Sequence, residues 1–167
     1  MCQNGLLVLD VDPRNDRKRP GGYNRKNGRG YEGNKMGDKP HIMIAGAGVG
    51  GLTAALALLQ RGFEVDVYEH APELAEIGAG FQISANGTRV LYELGLGSAI
   101  EAISWLPDGK EIRIWDTGEA KKLFDLGAES VERYGFPYYM FHRADLQGVL
   151  AAAVRARKPD AIHLNRK

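Results

Sequence analysis

The sequence predicts an α/β fold built on a mainly parallel sheet, and the order of its first elements carries that prediction. An apolar run at residues 42–45 leads through a glycine-rich turn into an apolar stretch that extends to Leu59. After Arg61 and Gly62, which suit the end of a helix, a second β-rich run follows at 64–69. This order of strand, turn, helix and strand is typical of a βαβ unit, whose strands pair in parallel.

The turn after the first strand has the pattern Gly-x-Gly-x-x-Gly, formed by Gly46, Gly48 and Gly51. The first glycine permits a tight turn, the second lets a pyrophosphate approach the backbone, and the third allows close packing of helix and strand. A helix that begins near Val49 directs its unpaired N–H groups at the phosphates. The pattern predicts a Rossmann-like dinucleotide-binding turn, and a glycine-rich turn without a ligand is the alternative.

The second strand ends in Glu69, twenty-three positions after Gly46. An acid about twenty residues beyond the first glycine binds the ribose hydroxyls in dinucleotide-binding folds. Because a carboxylate disfavours a 2′-phosphate, Glu69 favours FAD or NAD over NADP. The alternative is a solvated carboxylate at the end of a strand.

The uncharged stretch at residues 42–59 is also as long as a membrane helix. Four of its central positions are glycine, which makes a poor helix centre. We therefore predict no membrane span. The single cysteine, Cys2, excludes an internal disulfide framework and fits the reducing cytoplasm.

Charge divides the 167-residue chain into two parts. Residues 1–40 carry a net charge of +4 and residues 41–167 a net charge of −3. Residues 10–39 are rich in Gly, Arg and Asn and nearly without apolar residues, which predicts that 1–39 is a disordered extension before a nucleotide-binding unit at 40–167. An RNA-contacting arm with Tyr23 and Tyr31 is the alternative, but the composition makes nucleic-acid binding the weaker interpretation.

Residues 103–141 alternate polar and apolar side chains and predict antiparallel strands at 111–116, 121–126 and 138–141. We interpret this segment as the start of a separate sheet inserted into the nucleotide-binding fold. Short helices are predicted before it, around 86–94 and 97–102. The aromatic side chains in this region suit a core, with a substrate pocket as the alternative; they are Trp115, Tyr138 and Tyr139.

A strongly apolar helix is predicted to begin at His142 and to end near Pro159, before a last strand at 161–164. Arg143 lies at the start of this helix, where the helix dipole disfavours a cation. That position predicts an anionic or polar partner for Arg143, and a solvated arginine is the alternative.

Together, these residues resemble the FAD-dependent aromatic-ring hydroxylases, the single-component flavoprotein monooxygenases that include salicylate hydroxylase. The resemblance covers residues 40–167. Four stretches carry it, namely Ile-Ala-Gly-Ala-Gly-Val-Gly-Gly-Leu-Thr-Ala-Ala at 44–55, Val-Tyr-Glu at 67–69, Gly-Ala-Gly-Phe-Gln-Ile-Ser-Ala-Asn at 78–86 and His-Arg-Ala-Asp-Leu at 142–146.

The resemblance implies a role for each matching residue. Val49 and Gly50 contact the FAD pyrophosphate through their backbone, and Glu69 binds the adenosine ribose. His70 stands where the family usually has arginine, which weakens any polar contact at that position. Gln82 lies near the flavin, and Arg143 reaches the ribityl or phosphate region of FAD.

The family's chemistry is reduction of FAD by NADH or NADPH, followed by transfer of oxygen from O2 to a small aromatic substrate. No catalytic base is assigned, and the histidines lack the spacing of a metal site. The resemblance reaches about a third of a family member, without the later Asp-Gly and Gly-Asp-Ala-x-His segments, so we expect a truncated fragment. Another FAD- or NAD-dependent oxidoreductase, or a non-catalytic nucleotide-binding fragment, is the alternative.

Overall fold

The structure is a computed structural model that describes residues 40–74 and 80–166. The predicted disordered extension at 1–39 lies outside the described residues, as do the first two residues of the stretch at 78–86 that carries the resemblance. The described elements, in chain order, are β1 His41–Ala45, α1 Val49–Gln60, β2 Glu64–Tyr68, β3 Gly80–Ile83, α2 Ala85–Glu93, α3 Gly97–Glu101, β4 Ser104–Trp105, β5 Gly109–Arg113, β6 Ala120–Asp125, α4 Ala128–Tyr134, β7 Tyr139–His142, α5 Arg143–Arg157 and β8 Ile162–His163.

A parallel sheet with the strand order β1-β2-β8 confirms the predicted α/β fold. Val65 and Val67 of β2 are fully buried, and their neighbours across the sheet are apolar. Successive side chains of a strand alternate between faces, so these valines mark one apolar face. Helices α1 and α5 cover it with a set of buried leucines, namely Leu52, Leu56, Leu146 and Leu150. Within the described ranges no helix is long and apolar enough to cross a membrane.

The antiparallel strands predicted within 103–141 are confirmed, and the structure divides them between two sheets. Strands β4 and β7 join β3 in the order β3-β7-β4, whereas β5 and β6 form a hairpin of their own. Strand β5 ends at Arg113, earlier than predicted, because residues 114–118 form the hairpin turn. Gly118 closes this turn with a φ of 70°, and its N–H donates to the Ile114 carbonyl.

Helix α4 was not predicted from the sequence, because seven residues are too few to show a clear apolar period. It ends at Gly135, whose φ of 74° is the left-handed conformation that glycine adopts readily. The three aromatic residues singled out in this region differ in environment. Tyr139 is buried in the core, Tyr138 is half-buried, and Trp115 is 94% exposed, so Trp115 belongs neither to the core nor to a pocket.

Asp66 of β2 lies on the opposite face of the parallel sheet from the buried valines and is itself 9% exposed. Its carboxylate contacts His41 at 2.5 Å, His163 at 2.9 Å and the Lys158 ammonium at 3.0 Å. Burial alone raises the pKa of Asp66, but the hydrogen bonds from His163, Lys158 and His41 outweigh it and hold the pKa well below its usual range. The contacts connect β1, β8 and the end of α5 to the central strand.

We expect Asp66→Asn to lower the free energy of unfolding at pH 7 by about 1–3 kcal/mol, because it removes charged hydrogen bonds to Lys158 and the histidines. A carboxylate whose pKa is lowered by folding stabilises the protein above its unfolded pKa and loses that effect as pH falls through the folded pKa. The difference between wild type and variant should therefore shrink below about pH 4, as urea unfolding at several pH values would measure. Asp116→Asn, at the exposed hairpin turn, is the control and should change stability little at any pH. An equal loss at pH 7 and pH 3 would contradict the assignment.

The turn between β1 and α1 is packed so tightly that its last glycine has no room for a side chain. Gly46 has a φ of 95°, and its N–H donates to the Tyr68 carbonyl at 2.7 Å. A Cβ atom on Gly51 would lie 2.0 Å from the Gly46 carbonyl oxygen. A Cβ atom on Gly50, one position earlier, meets nothing within 4 Å. The predicted roles of Gly46 in the turn and of Gly51 in close packing agree with this geometry.

We expect Gly51→Ala to lower the free energy of unfolding by about 1–3 kcal/mol, because the helix must move away from the turn. Gly50→Ala should instead raise it by about 0.5–1 kcal/mol, because alanine favours the helix and the space is open. The two variants make the same chemical change one residue apart, and thermal or urea unfolding compares them directly. Equal stability of the two variants would show that the close contact at Gly51 does not constrain the fold.

Candidate functional site

The candidate site forms at the ends of β1 and β2, where the glycine turn begins. Gly48 is the residue before α1, and the helix begins at Val49, as predicted. The first N–H groups of a helix have no partner within the helix, and their dipoles make this end positive. No acidic side chain occupies the first turn of α1, and, apart from chain neighbours and the helix itself, no atom of the described residues lies within 4 Å of where a Cβ on Gly48 or Gly50 would be. The backbone of this turn is therefore suited to bind an anion.

Glu69 follows directly after β2, and its side chain turns towards the glycine turn. Its carboxylate accepts a hydrogen bond from the Ala71 N–H at 2.9 Å and another from the Ala47 N–H at 2.8 Å. These two backbone hydrogen bonds, with a smaller contribution from His70, lower the pKa of Glu69 despite its burial. The structure thus brings the predicted acid, as an anion at neutral pH, to the edge of the turn.

His70 adds little to the shape of this site. Its side chain is 81% exposed, and its Nδ1 lies 2.8 Å from a carboxylate oxygen of Glu69. The contact is an ion pair only when the imidazole is protonated, and the exposed His70 side chain is screened by solvent. The residue faces solvent beside the acid rather than lining the turn.

Gln147 of α5 is a site residue that the sequence analysis missed. Its side chain is buried, and its Nε2 donates to the Ala47 carbonyl at 2.9 Å. Ala47 therefore has its N–H bound by Glu69 and its carbonyl bound by Gln147. One signal in the sequence was available, because Gln147 lies four residues after Arg143 and so on the same side of the helix.

Gln82 and Arg143 lie on the antiparallel side of the molecule. Gln82 is in β3, and its side-chain oxygen accepts a hydrogen bond from the Tyr138 hydroxyl at 2.5 Å. Arg143 is the first residue of α5, and its guanidinium carbon lies 5.7 Å from the centre of the Phe81 ring. A cation over an aromatic face is attracted to it, so Phe81 helps to orient Arg143. Helix α5 joins this region to the glycine turn, because it carries both Arg143 and Gln147.

A cavity of about 510 Å³ lies beside Gln82, between α2, β6 and α4. Tyr138 belongs both to its lining and to the hydrogen bond with Gln82. Aromatic and charged groups share the wall, among them Phe124, Glu129, Arg133 and Tyr134. The volume is within the range of small-molecule pockets.

Comparisons with known proteins agree with this geometry. A family described as an NAD(P)-binding Rossmann-like domain matches residues 44–98. The chain is 44% identical over 108 residues to 3-amino-4-hydroxybenzoate 2-monooxygenase PtnB3 of Streptomyces platensis, covering 65% of this chain and 27% of that protein. It is 37% identical over 127 residues to 6-hydroxynicotinate 3-monooxygenase of Pseudomonas fluorescens, covering 76% of this chain and 32% of that protein.

Solved structures agree with the sequence relatives. The tetrameric form of 2-methyl-3-hydroxypyridine-5-carboxylic acid oxygenase matches with a TM-score of 0.65 at 31% identity, covering 77% of this chain and 32% of that one. Klebsiella pneumoniae HpxO, solved with FAD and uric acid, matches with a TM-score of 0.63 at 30% identity, covering 76% of this chain and 31% of that one. The chain spans about a third of the length of these proteins. By sequence and by fold, the chain is similar to part of these monooxygenases and oxygenases, one of which was solved with FAD.

Proposed function

We propose that this chain binds FAD and forms the FAD-binding part of a monooxygenase that hydroxylates a small aromatic compound with O2 and NADH or NADPH. The observation that carries the proposal is the anionic Glu69 beside an open glycine turn at the start of a helix. The relatives named above support the reaction class. We also propose a cytoplasmic location, which fits the single cysteine.

The turn fits the adenosine and pyrophosphate half of FAD. Phosphate oxygens are acceptors, and the N–H groups of Val49 and Gly50 at the start of α1 are donors without helical partners. The open space at Gly48 lets a pyrophosphate come close to the backbone. The carboxylate of Glu69 is an acceptor for the two hydroxyl groups of a ribose and repels a 2′-phosphate.

Gln82 and Arg143 are proposed to bind the flavin half. Arg143 offers a permanent cation to the phosphate or ribityl chain, and its position at the start of α5 then has an electrostatic reason. Gln82 is held by Tyr138, so its amide nitrogen is available as a donor. FAD, when bound, supplies the redox and oxygen chemistry, and the chain's own residues bind and orient it.

We propose an aromatic carboxylic acid with a ring hydroxyl group as the substrate class of the whole enzyme. The names of several relatives carry these features, including hydroxybenzoates, a hydroxynicotinate and a hydroxypyridine carboxylic acid. A ring hydroxyl donates electrons to the ring, which suits transfer of an electrophilic oxygen. The strands at 103–141 are proposed to begin the part of the fold that covers this substrate.

A second candidate is a dehydrogenase that binds NAD at the same turn. The match of residues 44–98 to an NAD(P)-binding family favours it, because the glycine turn serves both dinucleotides. FAD and NAD differ beyond the shared ADP half, where Gln82 and Arg143 lie in the first proposal. Comparing the affinities for FAD and NAD therefore separates the two candidates.

We expect the purified chain to bind FAD more tightly than NAD, and Glu69→Gln to weaken FAD binding about 10- to 100-fold. The variant removes a charged acceptor of the ribose hydroxyls and of the Ala47 N–H. Quenching of flavin fluorescence on titration measures both affinities.

Glu73→Gln is the matched control, because Glu73 is an exposed acid four residues further on and should leave FAD binding unchanged. Adenosine 2′,5′-bisphosphate and ADP can each be used to displace bound FAD. In Glu69→Gln, the bisphosphate should become the better competitor relative to ADP, because the variant no longer repels a 2′-phosphate. Equal FAD affinity of wild type and Glu69→Gln would contradict the ribose-binding role. Tight NAD binding without FAD binding would favour the dehydrogenase.

A further inference from the structure

Ala47 is the only residue between Gly46 and Gly48, and both of its backbone polar groups are bound by side chains from distant parts of the chain. Its N–H donates to Glu69, 22 residues away, and its carbonyl accepts from Gln147, 100 residues away. A backbone segment with a positive-φ glycine in it has few intrinsic preferences, so such contacts decide its conformation. The turn is thus held from both sides at one residue.

The hydrogen bond from Gln147 also sets the direction of the next donor along the chain. In a trans peptide the carbonyl and the following N–H point in opposite directions. Because the Ala47 carbonyl points at Gln147, the Gly48 N–H points away from α5. A Cβ atom on Gly48 would meet nothing within 4 Å. Gln147 therefore helps to orient the Gly48 N–H towards the face of the turn where a phosphate is proposed to bind.

The other end of the Gln147 amide shows that this residue is not chosen for stability alone. Gln147 is 4% exposed, and its Oε1 has no hydrogen-bond partner among the described residues. Turning the amide over would place two acceptors, Oε1 and the Ala47 carbonyl, against each other. A buried unsatisfied acceptor is destabilising, so the hydrogen bond from Gln147 to Ala47 is made at a cost in stability at Oε1.

We propose that Gln147 is a positioning residue for the dinucleotide, which acts through Ala47 to orient the Gly48 N–H towards the pyrophosphate. The inference rests on the proposed FAD site and adds to it a residue from the helix that also carries Arg143. Gln147 itself contacts the turn through the Ala47 carbonyl. Its function is to keep the turn in one conformation before the cofactor arrives, which lowers the cost of binding.

Gln147→Met in the full chain tests the proposal with three measurements, namely FAD affinity, the urea midpoint and hydrogen exchange. FAD affinity, from flavin fluorescence, should fall about 3- to 10-fold, the effect of one lost hydrogen bond. The urea midpoint should change little, because the variant removes the unsatisfied Oε1 acceptor but leaves the Ala47 carbonyl without its donor. Hydrogen exchange of the Ala47 amide in the FAD-free variant should be about 3- to 10-fold faster, since Ala47 then keeps its hydrogen bond to Glu69 but loses the one to Gln147.

Gln60→Met is the matched control, because Gln60 also donates from Nε2 to a backbone carbonyl, that of Leu94, at 2.8 Å. Gln60→Met should lower the urea midpoint and leave both FAD affinity and hydrogen exchange of the Ala47 amide unchanged.

Unchanged hydrogen exchange of the Ala47 amide in Gln147→Met would overturn the positioning role, whether or not FAD binds. A parallel fall in midpoint and affinity would also overturn it, in favour of a structural role. Absence of FAD binding by the wild-type chain would instead contradict the proposed function, and the exchange measurement would still decide the role of Gln147.

Discussion

The close approach of α1 to the turn at Gly46 is the constraint on which the rest of the site depends. A Cβ on Gly51 would lie 2.0 Å from the Gly46 carbonyl oxygen, so the helix can start where it does only with glycine at that position. Starting there, α1 packs against β1 and β2 with Leu52 and Leu56 in the core, and its first N–H groups lie at the glycine turn. The same contact therefore builds part of the core and leaves the positive end of the helix open to an anion.

The site places the positive start of helix α1 close to the negative carboxylate of Glu69. The helix start attracts anions, whereas Glu69 is an anion whose pKa is lowered by the N–H groups of Ala71 and Ala47. Because one of these N–H groups belongs to the turn itself, the acid stabilises the turn in addition to facing a ligand. In the proposed FAD site, the turn would accept a pyrophosphate and Glu69 would repel a further phosphate on the ribose.

The sequence predicted the elements whose signals are local. The turn, the end of β2 at Glu69 and the start of α5 each depend on residues that are close in the chain, and each was located from the pattern of glycine, acid and apolar residues. Gln147 and the contacts of Asp66 were not predicted, because their partners are 25 to 100 residues away. Strand β4 and helix α4 were missed for a different reason, since two and seven residues are too short to show a period.

The two halves of the proposed site are held together by a single rigid connection. His142 is both the last residue of β7 and the residue before α5, so no loop separates the antiparallel sheet from the helix. The pairing of His142 with Gly80 fixes where Arg143 stands relative to Phe81 and Gln82. One helical turn later Gln147 is fixed to Ala47. Because a helix rises only about 5.4 Å per turn, the distance between the arginine and the glycine turn is set by the backbone geometry of α5. A cofactor that spans both regions would therefore meet two binding elements whose separation is already determined before it binds.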